Sequence, residues 1–398
     1  MARLNIYDRR ERAVVRTADA LLAPLGIVRR IFGARTASMP SRILALRLER
    51  IGDFVMTMPA LTALKAAAPG AKLDVAVGSW NADLARALAG IDGVQTLDAE
   101  WLTRDAGGRS MTSLLAAAAA WRARKYDLAI NFEPDIRSNL MLAVSGAKRL
   151  AGFASGGGGT LLDVAVDFDP RAHTADNNLH LVRAALGLTT LPPAQPTLAL
   201  PDDAVTFARE RLRPAGARLK AGIHVGGGRE IKQWPPERFA DVARALIGRR
   251  DVCVVLTGAA PDRPLVDAVK AGLPRDQVID VASSVPLLPL AALLRELDVF
   301  VTGDTGPMHL ACAVGTPIVA VFGPSDPARY APRGARDRIV RVDLPCSPCN
   351  RIRLPPARCT GHTPDCLDAV GVEGVLRAVD EVLPAAGAPL RFRTGAGG

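Results

Sequence analysis

Three segments of this 398-residue chain place chemistry-bearing side chains beside glycines. In the first, Arg47-Leu-Glu-Arg-Ile-Gly52-Asp53-Phe, a carboxylate follows the glycine at which an extended run gives way to a helical one. A chain without Cβ can turn sharply there, and a carboxylate so placed can take the proton of a substrate hydroxyl. Aspartate is also a common helix cap, so this segment alone leaves both readings open. The second is His224-Val-Gly-Gly227-Gly228-Arg229-Glu-Ile-Lys232. It joins the backbone N–H groups of a glycine loop to two cations, a set suited to phosphate or pyrophosphate. It is neither a Walker loop nor a GxGxxG fingerprint, and many glycine loops are only tight turns. The third, Thr302-Gly-Asp304-Thr305-Gly306-Pro307-Met-His309, runs from an apolar stretch into a helix start. Asp304 reads as its N-cap and Pro307 as a first-turn residue. The N–H groups of that helix start suit an anion. His309 falls about one turn in, where histidine serves packing as readily as chemistry.

A fourth group is Cys346-Ser-Pro-Cys349 with Cys359 and Cys366, His362 lying between the last two. It reads either as a tetrahedral structural metal site or as four reduced thiols. Cys253 and Cys312 read as small core residues. Asp167-Phe-Asp169 mimics a metal-binding DxD but lacks supporting carboxylates and reads as chance.

These segments need elements to hold them. Short β-type runs at Ile43–Leu48, Leu73–Val77, Val94–Leu97 and Leu128–Phe132 alternate with helical stretches at Phe54–Ala67, Asn81–Ala89 and Thr112–Arg124. A looser region follows, with glycines at 156–159 and Pro170, Pro192, Pro193 and Pro196. A second series then begins, with strands at Gly222–Val225, Val252–Thr257, Val278–Val281, Val299–Thr302 and Ile318–Phe322. Its helices fall near Pro236–Ile247, Pro264–Ala271, Leu288–Glu296 and Pro307–Val314. Strand–helix alternation of this kind builds parallel sheets from βαβ units. The expectation is therefore α/β: two doubly wound halves whose carboxyl-side strand edges face an interdomain cleft. The parts expected are a basic amphipathic extension at 1–40, a first domain at 41–190, a second at 191–385 carrying the cysteine cluster at 346–366, and a flexible tail at 386–398.

The net charge of +10 is local. Residues 1–40 hold eight arginines against Asp8, Glu11 and Asp19, a net of +5. Residues 329–358 hold eight against Asp337 and Asp343, a net of +6, and the remainder is close to neutral. Aromatic residues are only 4% of the chain, too few for the stacking platforms of a nucleic-acid binder, so no nucleic-acid partner is expected. Six cysteines are too few for a disulfide framework, which points to a reducing compartment, the cytoplasm. No apolar run is long enough to span a bilayer, and no signal peptide is apparent. Val14, Ala18, Leu21, Leu25, Val28 and Phe32 form a helical stripe with arginines off it, broken near Pro24–Gly26. That stripe suits either an anionic membrane surface or packing against the protein itself.

The first three segments together resemble the family 9 glycosyltransferases, the ADP-heptose:lipopolysaccharide heptosyltransferases and their relatives. The likeness runs from Arg42 to about Val382 and is most specific at Asp304-Thr-Gly-Pro-Met-His309, Gly315-Thr-Pro317 and Phe322-Gly-Pro-Ser-Asp-Pro327. It implies a GT-B architecture of two Rossmann-like domains, the first binding acceptor and the second nucleotide-sugar. It implies an inverting transfer that needs no cofactor or catalytic metal. Asp53 matches the family's base, beside Gly52, and Lys232 matches the residue that stabilises the leaving diphosphate. Gly227, Gly228 and Arg229 fall in the phosphate loop, and Asp304, Thr305, Gly306 and His309 in the segment holding the donor's phosphates and sugar. Relatives often carry Ser or Thr where Gly227 and Gly228 stand, and some carry a ribose-binding Glu where this chain has Ala259-Ala-Pro-Asp262. Similar cysteine clusters recur in the family, some with iron, so a structural zinc or iron is one expectation for Cys346, Cys349, Cys359 and Cys366. The implied partners are a nucleotide-diphosphate sugar and a glycolipid or glycan acceptor, met at the inner face of the inner membrane. A sugar-nucleotide epimerase is the alternative enzyme, and a non-enzymatic nucleic-acid binder the more distant one.

Overall fold

The computed structural model describes residues 4–6, 8–32, 39–103, 107–283 and 285–383, so the tail expected at 386–398 lies outside the described residues. The chain divides into two compact units, Met1–Ala199 and Leu200–Gly398. Unit 1 holds strands β1 (Arg42–Arg47), β2 (Lys72–Val77), β3 (Gly93–Thr96), β4 (Leu128–Asn131), β5 (Arg149–Phe153) and β6 (Val164–Val166). They form one sheet in the order β3-β2-β1-β4-β5-β6, and every pairing is parallel. Around it lie α1 (Arg9–Phe32), α2 (Ile51–Val55), α3 (Met58–Ala67), α4 (Ala82–Ala87), α5 (Met111–Ala120), α6 (Ile136–Val144) and α7 (Thr174–Leu186).

Unit 2 repeats the plan. Its strands are β7 (Lys220–His224), β8 (Cys253–Thr257), β9 (Val278–Asp280), β10 (Val299–Gly303), β11 (Ile318–Val321) and β12 (Arg338–Val340), in the order β12-β11-β10-β7-β8-β9. These pairings are also parallel. Its helices include α8 (Asp202–Leu212), α9 (Pro236–Arg250), α10 (Arg263–Lys270), α11 (Leu287–Arg295) and α12 (Gly306–Ala313), and Val372–Val382 closes the described chain. Counted within each unit, both sheets have the doubly wound order 3-2-1-4-5-6.

Parallel strands covered on both faces read as continuous apolar runs. β1, β4, β8 and β10 do so: every residue of β4, β8 and β10 is buried, as are five of six in β1. Leu44, Leu46, Tyr126, Met141 and Leu150 lie in the core of unit 1, and Val254, Leu256, Val299, Val301 and Trp234 in that of unit 2. Each such side chain contributes roughly 1.5–3 kcal/mol by leaving water.

Three sequence expectations need correction. The helix expected over Phe54–Ala67 is two, because Pro59 lacks the N–H that would continue the ladder and the chain restarts at Thr57. The region expected to be looser is regular: β6 and α7 lie within it, and β5 runs just ahead of its glycines. The break expected near Pro24–Gly26 does not occur. α1 runs through Pro24, which sits with Ala20 on the exposed side, where water can satisfy the freed carbonyl.

Candidate active site

In a doubly wound sheet the strand order reverses between the first and fourth strands, and ligands bind outside their carboxyl ends. In unit 1 that point is the loop after β1 and the loop after β4. Gly52 and Asp53 lie there, in the first turn of α2. Asp53 is not the cap: Arg50 occupies that position and makes no side-chain capping bond. The Asp53 carboxylate instead lies 3.2 Å from the Arg47 guanidinium, which also meets Glu49 at 3.2 Å. Arg47 is buried and donates to the Phe132 carbonyl across the switch point.

Glu133, which sequence reasoning missed, organises this turn. It is 2% exposed and accepts from the Leu48 N–H, from the Glu49 N–H at 2.9 Å and from the Ser138 hydroxyl. Burial pushes its carboxyl above the ordinary range, against the opposing pull of Arg47 and these donors. From the other side Asn178 of α7 donates to the Met56 carbonyl and the Thr57 hydroxyl, fixing the α2–α3 junction. The signal that could have found Glu133 was its place directly after β4, beside the switch point.

In unit 2 the equivalent point is the loop after β7 and the loop after β10. Gly228 has a left-handed φ of 66°, a conformation glycine adopts without strain. Arg229 is exposed beside it. The next turn, Glu230–Lys232, brings the Lys232 ammonium to 2.7 Å from the Asp304 carboxylate, and His309 Nε2 approaches the other oxygen at 3.8 Å. Asp304 and His309 are buried. Burial alone would raise the Asp304 carboxyl, but Lys232 and His309 outweigh it and hold the group well below the usual carboxylate range.

The cap of α12 is Thr305, not Asp304. Its hydroxyl accepts from the Met308 N–H at 3.3 Å, while the Asp304 carboxylate is turned to Lys232. Pro307 has no N–H and that of Met308 is taken, so the first turn offers an anion the Gly306 N–H rather than a full ring of donors. Positive charge near this turn comes from Lys232. Just below the glycine loop, buried His224 meets Thr257 at 3.1 Å.

The structure thus gathers Lys232, Asp304 and His309 in unit 2, and Asp53 with Arg47, Glu49 and Glu133 in unit 1. Cys346, Cys349 and Cys366 lie near one another as well, but not as a metal-ligand group. Among the described residues no three His, Cys, Asp or Glu side chains form a group that could hold a metal, the expected set Cys346, Cys349, Cys359 and Cys366 included. All are free thiols, and burial with the neighbouring Cys349 and Cys346 pushes Cys366 up to about 11. Cys312, expected in the core, is exposed on α12. A further pocket, lined by Pro40, Ser41, Asp127, Lys148 and Arg149, opens at the opposite, amino-terminal edge of the unit 1 sheet.

Two Rossmann-like α/β units, with an acid after the fourth strand of each reaching the loop after the first, define a two-domain, doubly wound α/β protein. The sequence model described as glycosyltransferase family 9 (heptosyltransferase) matches residues 115–355, more than half the chain. The chain therefore belongs to glycosyltransferase family 9 and is a glycosyltransferase. It is 26% identical over 326 residues to lipopolysaccharide heptosyltransferase 1 of Pseudomonas aeruginosa, covering 77% of this chain and 86% of that one. It is 24% identical over 348 residues to lipopolysaccharide heptosyltransferase 3 of Escherichia coli, covering 84% and 95%. Its fold matches the solved structure of the E. coli ADP-heptose heptosyltransferase II with a TM-score of 0.69 at 21% identity, covering 86% of this chain and 98% of that one. The expected fold class, two Rossmann-like domains of the GT-B kind, is what the chain adopts. The family match favours sugar transfer over the epimerase alternative. Among the described residues no helix is long and apolar enough to cross a membrane.

Proposed function

We propose that this enzyme transfers a heptosyl group from ADP-heptose, or a close nucleotide-diphosphate sugar, to a hydroxyl of a lipopolysaccharide core or related glycan. The transfer inverts the anomeric centre and uses no catalytic metal. The observation that carries this reading is positional: Asp53 and the Lys232–Asp304 pair each lie at the switch point of their own sheet, where such folds bind ligands. Residues 41–190 take the acceptor and 191–385 the donor.

Asp53 accepts the proton of the acceptor hydroxyl as its oxygen bonds to the anomeric carbon. The bond from that carbon to the diphosphate breaks, and the electron pair leaves with the nucleoside diphosphate. Negative charge grows on the departing phosphate, and Lys232, held in place by Asp304, stabilises it there together with Arg229 and the backbone of Gly227, Gly228 and Gly306. Thr305 and His309 shape the donor pocket. Arg47 fixes the direction of the Asp53 carboxylate. The setting is the cytoplasm, at the inner face of the inner membrane, where a glycolipid acceptor is presented.

The test is Asp53→Asn with ADP-heptose and a heptose-accepting core oligosaccharide. Loss of a general base lowers kcat by roughly 10²–10⁴, while donor affinity measured by calorimetry stays at the wild-type value. An Asp53→Asn enzyme turning over at the wild-type rate sinks the mechanism.

A further inference from the structure

The helix ahead of β1 presents two separate faces. One is docked on unit 1. Val15, Asp19, Leu22 and Gly26 follow one another at helical spacing along α1 and are buried or half-buried. The Gly158 N–H donates to the Asp19 carboxylate at 2.5 Å. A Cβ on Gly26 would fall 2.0 Å from the Thr160 carbonyl oxygen, so this close approach needs glycine. The packing partner is the turn Gly159–Leu161 and the glycines before it.

The other face carries the apolar stripe read from the sequence, and nothing in the described protein covers it. Val14 is 68% exposed, Leu21 76%, Leu25 50% and Val28 51%. Ala18 is half-buried at its edge, and the side chain of Phe32 lies outside the described residues. At about 100° per residue, the stripe is turned roughly a third of the way round the helix from the docked face. Five of the seven large apolar side chains most exposed among the described residues sit on this one helix, so the exposure is concentrated rather than scattered.

Charge indicates what the stripe meets. Arg9, Arg10 and Arg16 are exposed on α1. Of its two acids, Asp19 is turned into the protein and Glu11 interacts with Arg137 of α6. Asp8 is engaged in capping, its carboxylate accepting from the N–H groups of Arg10 and Glu11 at 2.8 Å. A second copy of the same helix would bring arginines against arginines, whereas an anionic lipid surface satisfies both the apolar stripe and the positive charge. All the arginines of a surface-bound helix lie within about a Debye length, roughly 10 Å, of the headgroups.

We infer that α1 is an interfacial helix: its docked face holds it to unit 1 and its Val14–Leu21–Leu25–Val28 face enters the headgroup–acyl boundary of an anionic membrane. The glycine contact with Thr160 makes the joint close, so the membrane fixes the orientation of unit 1 rather than merely tethering it. The inference leans on the glycolipid-acceptor reading only for the choice of membrane, and its test needs no turnover.

The experiment is flotation of the full chain with phosphatidylcholine vesicles and with vesicles containing about 30% phosphatidylglycerol, an anionic content that gives a negative surface potential. The wild type is expected to bind the anionic vesicles at least tenfold more tightly, and the preference shrinks as salt is raised. The double variant Leu21→Asp/Leu25→Asp loses at least tenfold of that binding, with an unchanged thermal transition. Arg9→Ala/Arg10→Ala/Arg16→Ala loses the preference for anionic lipid. Wild-type protein that ignores both vesicles overturns the proposal, as does a double variant that binds like the wild type. A vesicle-free dimer abolished by Leu21→Asp/Leu25→Asp also overturns it, giving the face to a second copy. An Asp53→Asn enzyme that still floats keeps the membrane proposal intact whatever the fate of the mechanism.

Discussion

Lowering the pH should weaken the protein through His224 well before the aspartates held low by their partners respond. His224 ends β7 under the glycine loop, buried and within 3.1 Å of the Thr257 hydroxyl. Burial pushes its pKa down to about 4, only partly opposed by Asp262 and the Thr257 contact. The unfolded chain titrates near 6.5. A folded pKa below the unfolded one means that the unfolded state takes the proton first. The stabilising contribution is therefore complete above about pH 6.5 and is lost as pH falls through the folded value. With about 1.36 kcal/mol per pKa unit, the full loss is roughly 3 kcal/mol, of which about 2 kcal/mol has gone by pH 5. Urea unfolding followed by circular dichroism at about pH 8, 6 and 5 measures it. The wild type should lose about 2 kcal/mol across that range more than a His224→Gln protein, which has no ring to titrate. The aspartates held low, Asp127 and Asp304, lose their contributions only as pH falls below about 4 and do not enter this window. Equal pH slopes in the two proteins would refute the reasoning.

Glu133→Ala strands two backbone N–H groups and a hydroxyl in a buried turn and should cost about 2–4 kcal/mol in urea unfolding. Glu133→Gln keeps an oxygen for them and should recover most of it. Lys232→Ala leaves the Asp304 charge nearly buried without its partner. It should lower stability by about 3 kcal/mol, and Asp304→Asn in the same protein should restore most of that in a thermal melt. Among the described residues no three cysteines are set as metal ligands, so EDTA should shift the melting temperature by less than about 2 °C, where loss of a structural metal would shift it far more.

Legibility followed burial and length. The central strands were readable because both faces of each are covered, which leaves uninterrupted apolar runs in the sequence. β5, Arg-Leu-Ala-Gly-Phe, and β12, Arg-Ile-Val, were not: each is short, opens on arginine and lies toward an edge of its sheet. α7 was hidden because its buried face includes Asn177 and Asn178, polar residues whose value lies in distant hydrogen bonds. The capping of α12 was ambiguous for a local reason. Asp304 and Thr305 are both good caps, and only the position of Lys232, seventy-two residues earlier in the chain, draws the aspartate away. The stripe on α1 was legible, but the face that docks was not, since a glycine and an aspartate carry that contact.

The two candidate loops also share a device that neither sequence segment displays alone. Glu133 follows the fourth strand of the unit 1 sheet and reaches the loop after the first strand, binding Leu48 and Glu49. Asp304 follows the fourth strand of the unit 2 sheet and likewise reaches the loop after the first strand, pairing with Lys232. The geometry explains the recurrence. At the switch point the flanking helices leave on opposite faces, so nothing covers the ends of these two adjacent strands, and a carboxylate can span the gap between their loops. What differs is the group received. In unit 1 the acid is satisfied mainly by backbone N–H groups, which fix a turn and leave the Asp53 side chain 29% exposed. In unit 2 it is satisfied by a lysine ammonium, which fixes a cation near the mouth. On the proposed mechanism, the same buried acid would thus prepare a base in one unit and an electrophilic clamp in the other, the two polarities that an inverting transfer to a hydroxyl requires.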